Sequence, residues 1–494
     1  MAAILAPLLY VTIATPLGAR LLAHAQTPQV STARSQEPLR KKINFISTRD
    51  EKRTPNPAGW KEYDGAVYTK ERSYGWLPDV PDESFDVGPD ADMVLANGAH
   101  VSPQALGRLE LANGQGAHPD NRPFVFRIDL PDGWYRVTCA SAFGPVPLVD
   151  QRSFKCRAHD VVFVGSSYGA PLKIQGNRLV EGSGVVEVTE GHLRVVVGDP
   201  AYGGWTWSYQ GPLWSGWKWW LRHPIVFGKT WYQKVARFVD PGFHGLRFNA
   251  LEIERVTEPA QQHSVFFRDF FNRNDSSDIN AGLAEADRWI RAPLHSSDSD
   301  RLSVELYKTS LKIVGPKQGK GVIALLQQKQ SPTKGTVRYS TRVSLFTGEG
   351  SRMNSGIQEA GLLILGEPTG TTEFNSTFIG IAFDCSRRET PGWVRYRVGN
   401  GAGSYQTNFE IPDTALPFRV TEGEYEIVVD HNVEKSILTK MRINGIDIID
   451  RVPLHDRKQG LPRGLFGVRA SMDSFGSGIS LQQFYWYYRV EEIQ

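Results

Sequence analysis

The sequence predicts an all-β protein built from two antiparallel β-sandwich (jelly-roll) units in tandem. Three observations carry this. Apolar and polar residues alternate in many short runs, which is the period of a half-buried strand. The 48 glycines and 30 prolines among the 494 residues interrupt those runs at spacings too short for long helices. Only one stretch, "AGLAEADRWI" (281–290), reads as a helix candidate, and it is short.

The chain opens on an apolar stretch, "MAAILAPLLYVTIATPLGA", followed by "AHA" at 23–25. Small residues flanking one position mark a signal-peptide cleavage site, so 1–25 is expected to be removed and the protein exported. The stretch carries no early positive charge, and a retained anchor is the alternative, although Pro7 and Pro16 interrupt it. No other stretch reaches 18 apolar residues, as a membrane-spanning helix requires. Residues 26–42 are polar and without pattern, and read as a flexible leader.

From 43 to 257 the strand signals begin with "FVFRIDL" (124–130) and "PDGWYRVTCASAF" (131–143), with a turn at Pro131-Asp132-Gly133. "GVVEVTEGHLRVVVGD" (184–199) reads as a hairpin closed at Glu190-Gly191, and "GLRFNALEIERV" (245–256) as the closing strand. "TEPAQQH" (257–263) is a short linker. From 264 to 491 eight further runs alternate, among them "TVRYSTRVSLF" (336–346), "WVRYRVG" (393–399) and "ISLQQFYWYYRVE" (479–491). Asn444-Gly445 between two such runs is a two-residue hairpin signal.

Composition narrows the function classes. Charged residues make up 22% and the formal net charge is +3, too little to favour nucleic acid, and the only basic run is "LRKK" at 39–42. There are three cysteines, Cys139, Cys156 and Cys385. The first two are spaced to pair in an oxidising compartment or to stay as buried thiols, and neither their spacing nor any His/Cys cluster suggests zinc.

Residues 43–80 contain Gly59-Trp60, then Tyr68, then Ser73-Tyr74-Gly75-Trp76. This order resembles the galactose-binding-like β-sandwich modules found beside pectin-active esterases. "DLPDGWYRV" (129–137), "VEVTEGHLRVVV" (186–197) and "FNALEIERV" (248–256) fit that module's closing strands, which places 201–244 as an insertion. The second unit resembles concanavalin-A-like, laminin-G-type jelly rolls, through "FFRDFFNRNDSSDI" (266–279), the strand–turn–strand at 425–448 and the closing pair "GLFGVRASMDS" and "ISLQQFYWYY". The esterases carry their serine chemistry in a separate α/β domain that has no counterpart here, so the resemblance implies a binding fold and no hydrolytic residues.

The insertion holds "WTWSYQGPLWSGWKWWLRHPIVFGKTW" (205–231), with seven of the chain's 13 tryptophans. On a strand Trp205, Trp207 and Tyr209 share one face, and Trp214 and Trp217 align on one side of a helical turn. Such rings complement the apolar face of a pyranose, with Gln210, Lys218, Arg222 and His223 available to hydroxyls or a carboxylate. The same rings suit packing between the two sandwiches, or contact with a membrane surface or protein partner edged by Lys218, Arg222 and Lys229.

No GxSxG, HExxH, GxGxxG or P-loop is present, and "GPKQGKG" (315–321) lacks the phosphate-loop spacing. Glu359, Asp384 and Asp430 are carboxylates on strands, two of which facing one groove would suit glycosidase chemistry. Arg395, Tyr396, Arg397, Tyr405 and His431 are the residue types of a lyase. Arg395 and Arg397 share a strand face, with Tyr396 opposite, and so could bind uronate carboxylates. "DFFNRNDSSD" (269–278) offers oxygen ligands for calcium or forms an Asx turn. Three readings stand: an exported polysaccharide-recognising protein in a binding or accessory role, a polysaccharide hydrolase or lyase with its site in the second sandwich, or a structural subunit docking through the tryptophan segment.

Overall fold

Alternation becomes a sandwich because successive strand side chains point to opposite faces, and one face of each sheet must be buried. The computed structural model describes residues 39–45, 58–63, 67–77, 93–94, 100–101, 109–111, 124–142, 149–150, 156–164, 173–174, 179–197, 246–248, 250–259, 263–292, 301–346, 356–366, 377–384, 392–399, 405–420, 423–435, 437–449, 452–453, 465–475 and 481–493. The expected signal peptide, most of the leader, the whole insertion 201–244 and Cys385 lie outside them. The described residues are all-β, with two 3-10 turns, Glu285–Asp287 and Asp413–Ala415, and no α-helix.

Two five-stranded sheets make the N-terminal sandwich. One runs, in spatial order, Leu179–Val188, Gly133–Ala142, Ala250–Val256, Arg40–Phe45 and Lys61–Tyr63. The other runs Val161–Val164, Cys156–Ala158, His192–Val197, Phe124–Asp129 and Tyr74–Trp76. Their inner faces enclose one core, in which Tyr135, Val137 and Leu251 meet Trp76, Phe126 and Val195. The first strand starts at Arg40, inside the stretch expected as leader. The basic run at 39–42 is matched by the strand beside it: Arg40 donates to Glu252 at 2.6 Å, and the next residue, Ile43, enters the core.

The segment 184–199 is not a hairpin. Leu179–Val188 pairs with Gly133–Ala142, whereas His192–Val197 pairs with Phe124–Asp129 in the opposite sheet. A hairpin would set Val186 and Val188 beside Leu193 and Val195 in one layer. Crossing between layers lets them face each other across the core. The turn at Pro131-Asp132-Gly133 crosses in the same way, and the two crossings are tied together: Gly191 donates its amide to Asp132 Oδ1 at 2.8 Å, and Leu130 donates to the Gly191 carbonyl at 3.0 Å.

The C-terminal sandwich pairs a nine-stranded with a seven-stranded sheet. The larger has the order Ser303–Tyr307, Ser310–Val314, Gln482–Ile493, Thr336–Phe346, Gly423–Asn432, Ile437–Ile443 and Ile446–Ile449, with His263–Asp269 also on Gln482–Ile493 and Val452–Pro453 on Ile437–Ile443. The smaller has the order Trp289–Arg291, Gly319–Gln330, Leu465–Ser474, Gly356–Gly366, Thr377–Asp384, Trp393–Gly399 and Tyr405–Pro412. Asn444 (φ 53°) and Gly445 (φ 77°) close the expected two-residue hairpin, both in the left-handed region that a type I′ turn requires.

The expected helix at 281–290 is a turn with one 3-10 element and then a strand, Trp289–Arg291. Two anchors override the helical spacing. Asn280 accepts from the Trp289 amide at 2.7 Å and donates to its carbonyl at 2.9 Å. The Trp289 indole is buried, donates to Asp269 at 2.8 Å and packs edge-on against Tyr488.

Every described strand pair lies wholly before 257 or wholly after 262. Even so, Leu39–Gln494 is one compact unit. The outer face of the sheet carrying His192–Val197 packs on the outer face of the nine-stranded sheet, where Val125 and Val196 meet Phe270, Phe484, Trp486 and Tyr487.

Candidate functional site

The residues with the most chemistry lie on the outer face of the seven-stranded sheet. Its strands send Leu362, Ile364, Ile379, Ile381, Val394 and Tyr396 into the core, so the intervening positions face outward. Register then sets the rows. Arg469, Gly361, Gly380, Arg395 and Glu410 lie side by side across five strands. Ser471, Glu359, Ala382 and Trp393 form the row on one side, and Gly467, Leu363, Phe378, Arg397 and Asn408 the row on the other.

Between the two arginines of the central row stand two glycines, with the Phe378 ring 2.7 Å from where a Cβ on Gly380 would lie. A Cβ on Gly361 would lie 2.2 Å from the Ile379 carbonyl oxygen, and one on Gly380 2.2 Å from that of Ala360. The strands approach too closely there for any other residue.

The Glu359 carboxylate is the hub. Arg395 ion-pairs with it, Arg469 donates to it at 2.7 Å, and Arg397 lies 3.4 Å away. Glu359 and Arg469 are 5% and 3% exposed, so this is an interior cluster held by its own hydrogen bonds. Arg395 also pairs with Glu410 at 2.6 Å, and Arg397 donates to Asn408 at 3.2 Å. Aromatic faces back two of the guanidiniums: Arg395 lies 5.1 Å from the Trp393 ring centre and Arg469 5.0 Å from that of Phe378. Burial, and then the neighbouring Arg397, pull Arg395 down to about 10. Asn408 and Glu410 are exposed, so the cluster opens toward the edge strand Tyr405–Pro412.

Arg395 and Arg397 therefore do share a face, and Tyr396 points the other way, into the core. Of the other described groups, Asp384 joins Glu359 on this face, while Asp430, His431 and Tyr396 do not. Asp384 shares the outer face with Glu359, opposite Ile357. Asp430 lies on the other sheet, bound by both arms of Arg338 at 2.7 and 2.9 Å, with the core between it and Glu359. Two of the lyase-type residues lie apart from the two arginines. His431 is fully buried on the nine-stranded sheet, and burial raises the Tyr396 phenol well above its usual range. The Tyr405 side chain and all of Trp205, Trp207, Tyr209, Gln210, Trp214, Trp217, Lys218, Arg222 and His223 lie outside the described residues.

In 269–278 the acidic groups serve the fold. Asp269 accepts from Arg273 at 2.7 and 3.0 Å and from the Phe271 amide, while Asp275 and Asp278 accept backbone amides. This is the Asx-turn alternative. Among the described residues no three His, Cys, Asp or Glu side chains are grouped to hold a metal, and no helix is long and apolar enough to cross a membrane.

The motif at 67–76 is structural. Gly75 (φ 150°) lies where a Cβ would be 2.5 Å from the Tyr68 backbone, and Trp76 is fully buried against Phe126. Tyr68 donates to Asp129 at 2.7 Å and lies under Arg127. Reading residues alone passed over Arg469, Phe378 and Trp393. Their outward alternation is visible in the sequence, but their adjacency depends on a strand order that is not.

No family model matches the sequence, and no curated protein matches it. Solved structures similar to part of the chain include the Emp46p carbohydrate recognition domain, at 12% identity over 41% of this chain and 87% of that one (TM-score 0.28). A GlcNAcα1-4Gal-releasing endo-β-galactosidase from Clostridium perfringens is 12% identical over 48% of this chain and 64% of that one (TM-score 0.32). A structure described with endo-acting O-glycanases of the human gut microbiota is 16% identical over 47% of this chain and all of that one (TM-score 0.34). At these values the likenesses carry no argument about this chain's ligand or reaction.

Proposed function

We propose that this is an exported polysaccharide-binding protein, and that it recognises a carboxylated, uronate-type glycan on the outer face of the seven-stranded sheet. One observation carries the reading: Arg395, Arg397 and Arg469 gather around the Glu359 carboxylate on one sheet face, with Glu410 beside Arg395 at the exposed edge. Guanidinium forks suit carboxylates, which they bind through two parallel hydrogen bonds. Glu359 holds the three arginines in place, and the uronate carboxylate docks beside Arg397, which donates to the exposed Asn408 where the cluster reaches the sheet edge. The Trp393 and Phe378 rings stiffen the guanidiniums they underlie.

Affinity electrophoresis against polygalacturonate, alginate and a neutral glucan tests this. The polyuronates should retard the protein and the neutral glucan should not, with the effect weakening as salt rises. Arg397→Gln should weaken polyuronate binding about tenfold, as expected for one lost charged hydrogen bond. Equal retardation of the variant and the unchanged protein, or retardation by the neutral glucan alone, would overturn the reading.

A further inference from the structure

Cys139 and Cys156 sit in Gly133–Ala142 and Cys156–Ala158, which belong to opposite sheets of the N-terminal sandwich. Both are fully buried in the same core. Both thiols are unbridged and enter that core from opposite layers, where Cys156 lies close enough to Cys139 to help burial raise its thiol. Contact of this kind is uncommon by chance: the inner face of each sheet offers many positions, and strand register alone decides which meet. Here the strand pairing sets Cys139 beside Leu251 in one layer and Cys156 beside Val197 in the other, and all four side chains enter the one core.

From this juxtaposition we propose that Cys139 and Cys156 form a disulfide that staples the two sheets together when the chain folds in an oxidising compartment. The oxidant is a small-molecule or protein disulfide. The thiolate of one cysteine attacks a sulfur of that disulfide, forming a mixed disulfide and releasing one thiol. The thiolate of the second cysteine then attacks the chain's own sulfur in the mixed disulfide. This closes the 139–156 bond and releases the second thiol. The two cysteines lose two protons and two electrons, and the external disulfide gains them. In the closed sandwich neither step can run, because no oxidant reaches a fully buried sulfur and burial raises the Cys139 thiol far above its usual range. The bond is therefore made before the sheets close, and a chain folded as the dithiol stays a dithiol.

The full chain tests this when unfolded with reductant and refolded either in a glutathione redox buffer or in dithiothreitol. It is then denatured without reductant, alkylated with iodoacetamide and weighed intact. Dithiothreitol refolding should leave three alkylatable cysteines, the number in the sequence, and glutathione refolding one. The bridged form should melt about 5–10 °C above the dithiol form, the shift expected for a loop of this length in a unit of this size. Protein folded first in dithiothreitol and then given oxidised glutathione should keep all three. A Cys385→Ser chain should fall from two alkylatable cysteines to none. Should the chain refold poorly, the same count on protein made by an export route and in a reducing cytosol separates the states. Three alkylatable cysteines after oxidative folding, a bond to Cys385, or a bridged form melting no higher than the dithiol would overturn the proposal.

Discussion

At the scale of single residues, His159 shows how burial turns composition into pH dependence. Its ring stacks on Phe270 at 4.6 Å, and Asn272 is 3.3 Å from Nε2. Burial pulls it to about 4 from the usual 6.5, against Asp160 and Glu187 and with help from Arg268 and His192. The folded value lies below the unfolded one, so the unfolded chain takes up the proton first as pH falls. Stability from this group is complete above about pH 6.5 and is lost on the way down to about 4. Denaturant unfolding should show a loss of about 2 kcal/mol between pH 6.5 and pH 5, at 1.36 kcal/mol per unit. His159→Leu should flatten that slope, and a variant as steep as the unchanged protein would reassign the effect.

At the scale of elements, glycines decide where strands come closest. Gly75 combines a left-handed φ of 150° with a Cβ site 2.5 Å from the Tyr68 backbone. Gly75→Ala should destabilise the N-terminal sandwich by more than about 2 kcal/mol, since both strain and overpacking oppose it. The Gly445→Ala change strains a φ of 77° in an exposed turn and should cost about 1 kcal/mol. Thermal melts of the two variants should rank in that order. The same scale explains the segment 184–199. Its alternation and its Glu190-Gly191 turn are legible in the sequence, and both occur. Whether a turn links neighbours in one sheet or crosses to the other is not legible, because both arrangements bury the same valines.

At the scale of the molecule, the two sandwiches are joined by buried charge as well as by apolar contact. Arg157 donates to Glu424 at 2.7 Å with both side chains buried, and its guanidinium lies 3.6 Å from the centre of the Trp486 ring. Ser344 donates to Glu424 at 3.2 Å and accepts from the Trp486 indole at 2.9 Å, while Arg489 reaches Asp160 across the interface. Such a pair contributes little net stability, but losing one partner leaves a buried charge unmatched. Arg157→Ala should therefore cost about 3–5 kcal/mol and split one denaturant transition into two. Arg157→Met with Glu424→Leu should restore most of the loss. A double variant as unstable as the single one would show that the network is needed for more than charge balance.

By itself the sequence determined the all-β class, most strand positions, the Asn444-Gly445 hairpin and the shared face of Arg395 and Arg397. All of these follow from a period of two and from turn residues, which act within a few positions of each other. Only the tertiary structure decided that Glu359 is ringed by three arginines, that Asp430 and His431 lie on the far sheet, that Trp289 ends a would-be helix and that Cys139 meets Cys156. Alternation states which way a side chain points but not which strand lies beside it. Strand order is set by the burial of whole faces against one another, a sum over residues hundreds of positions apart that no local pattern contains.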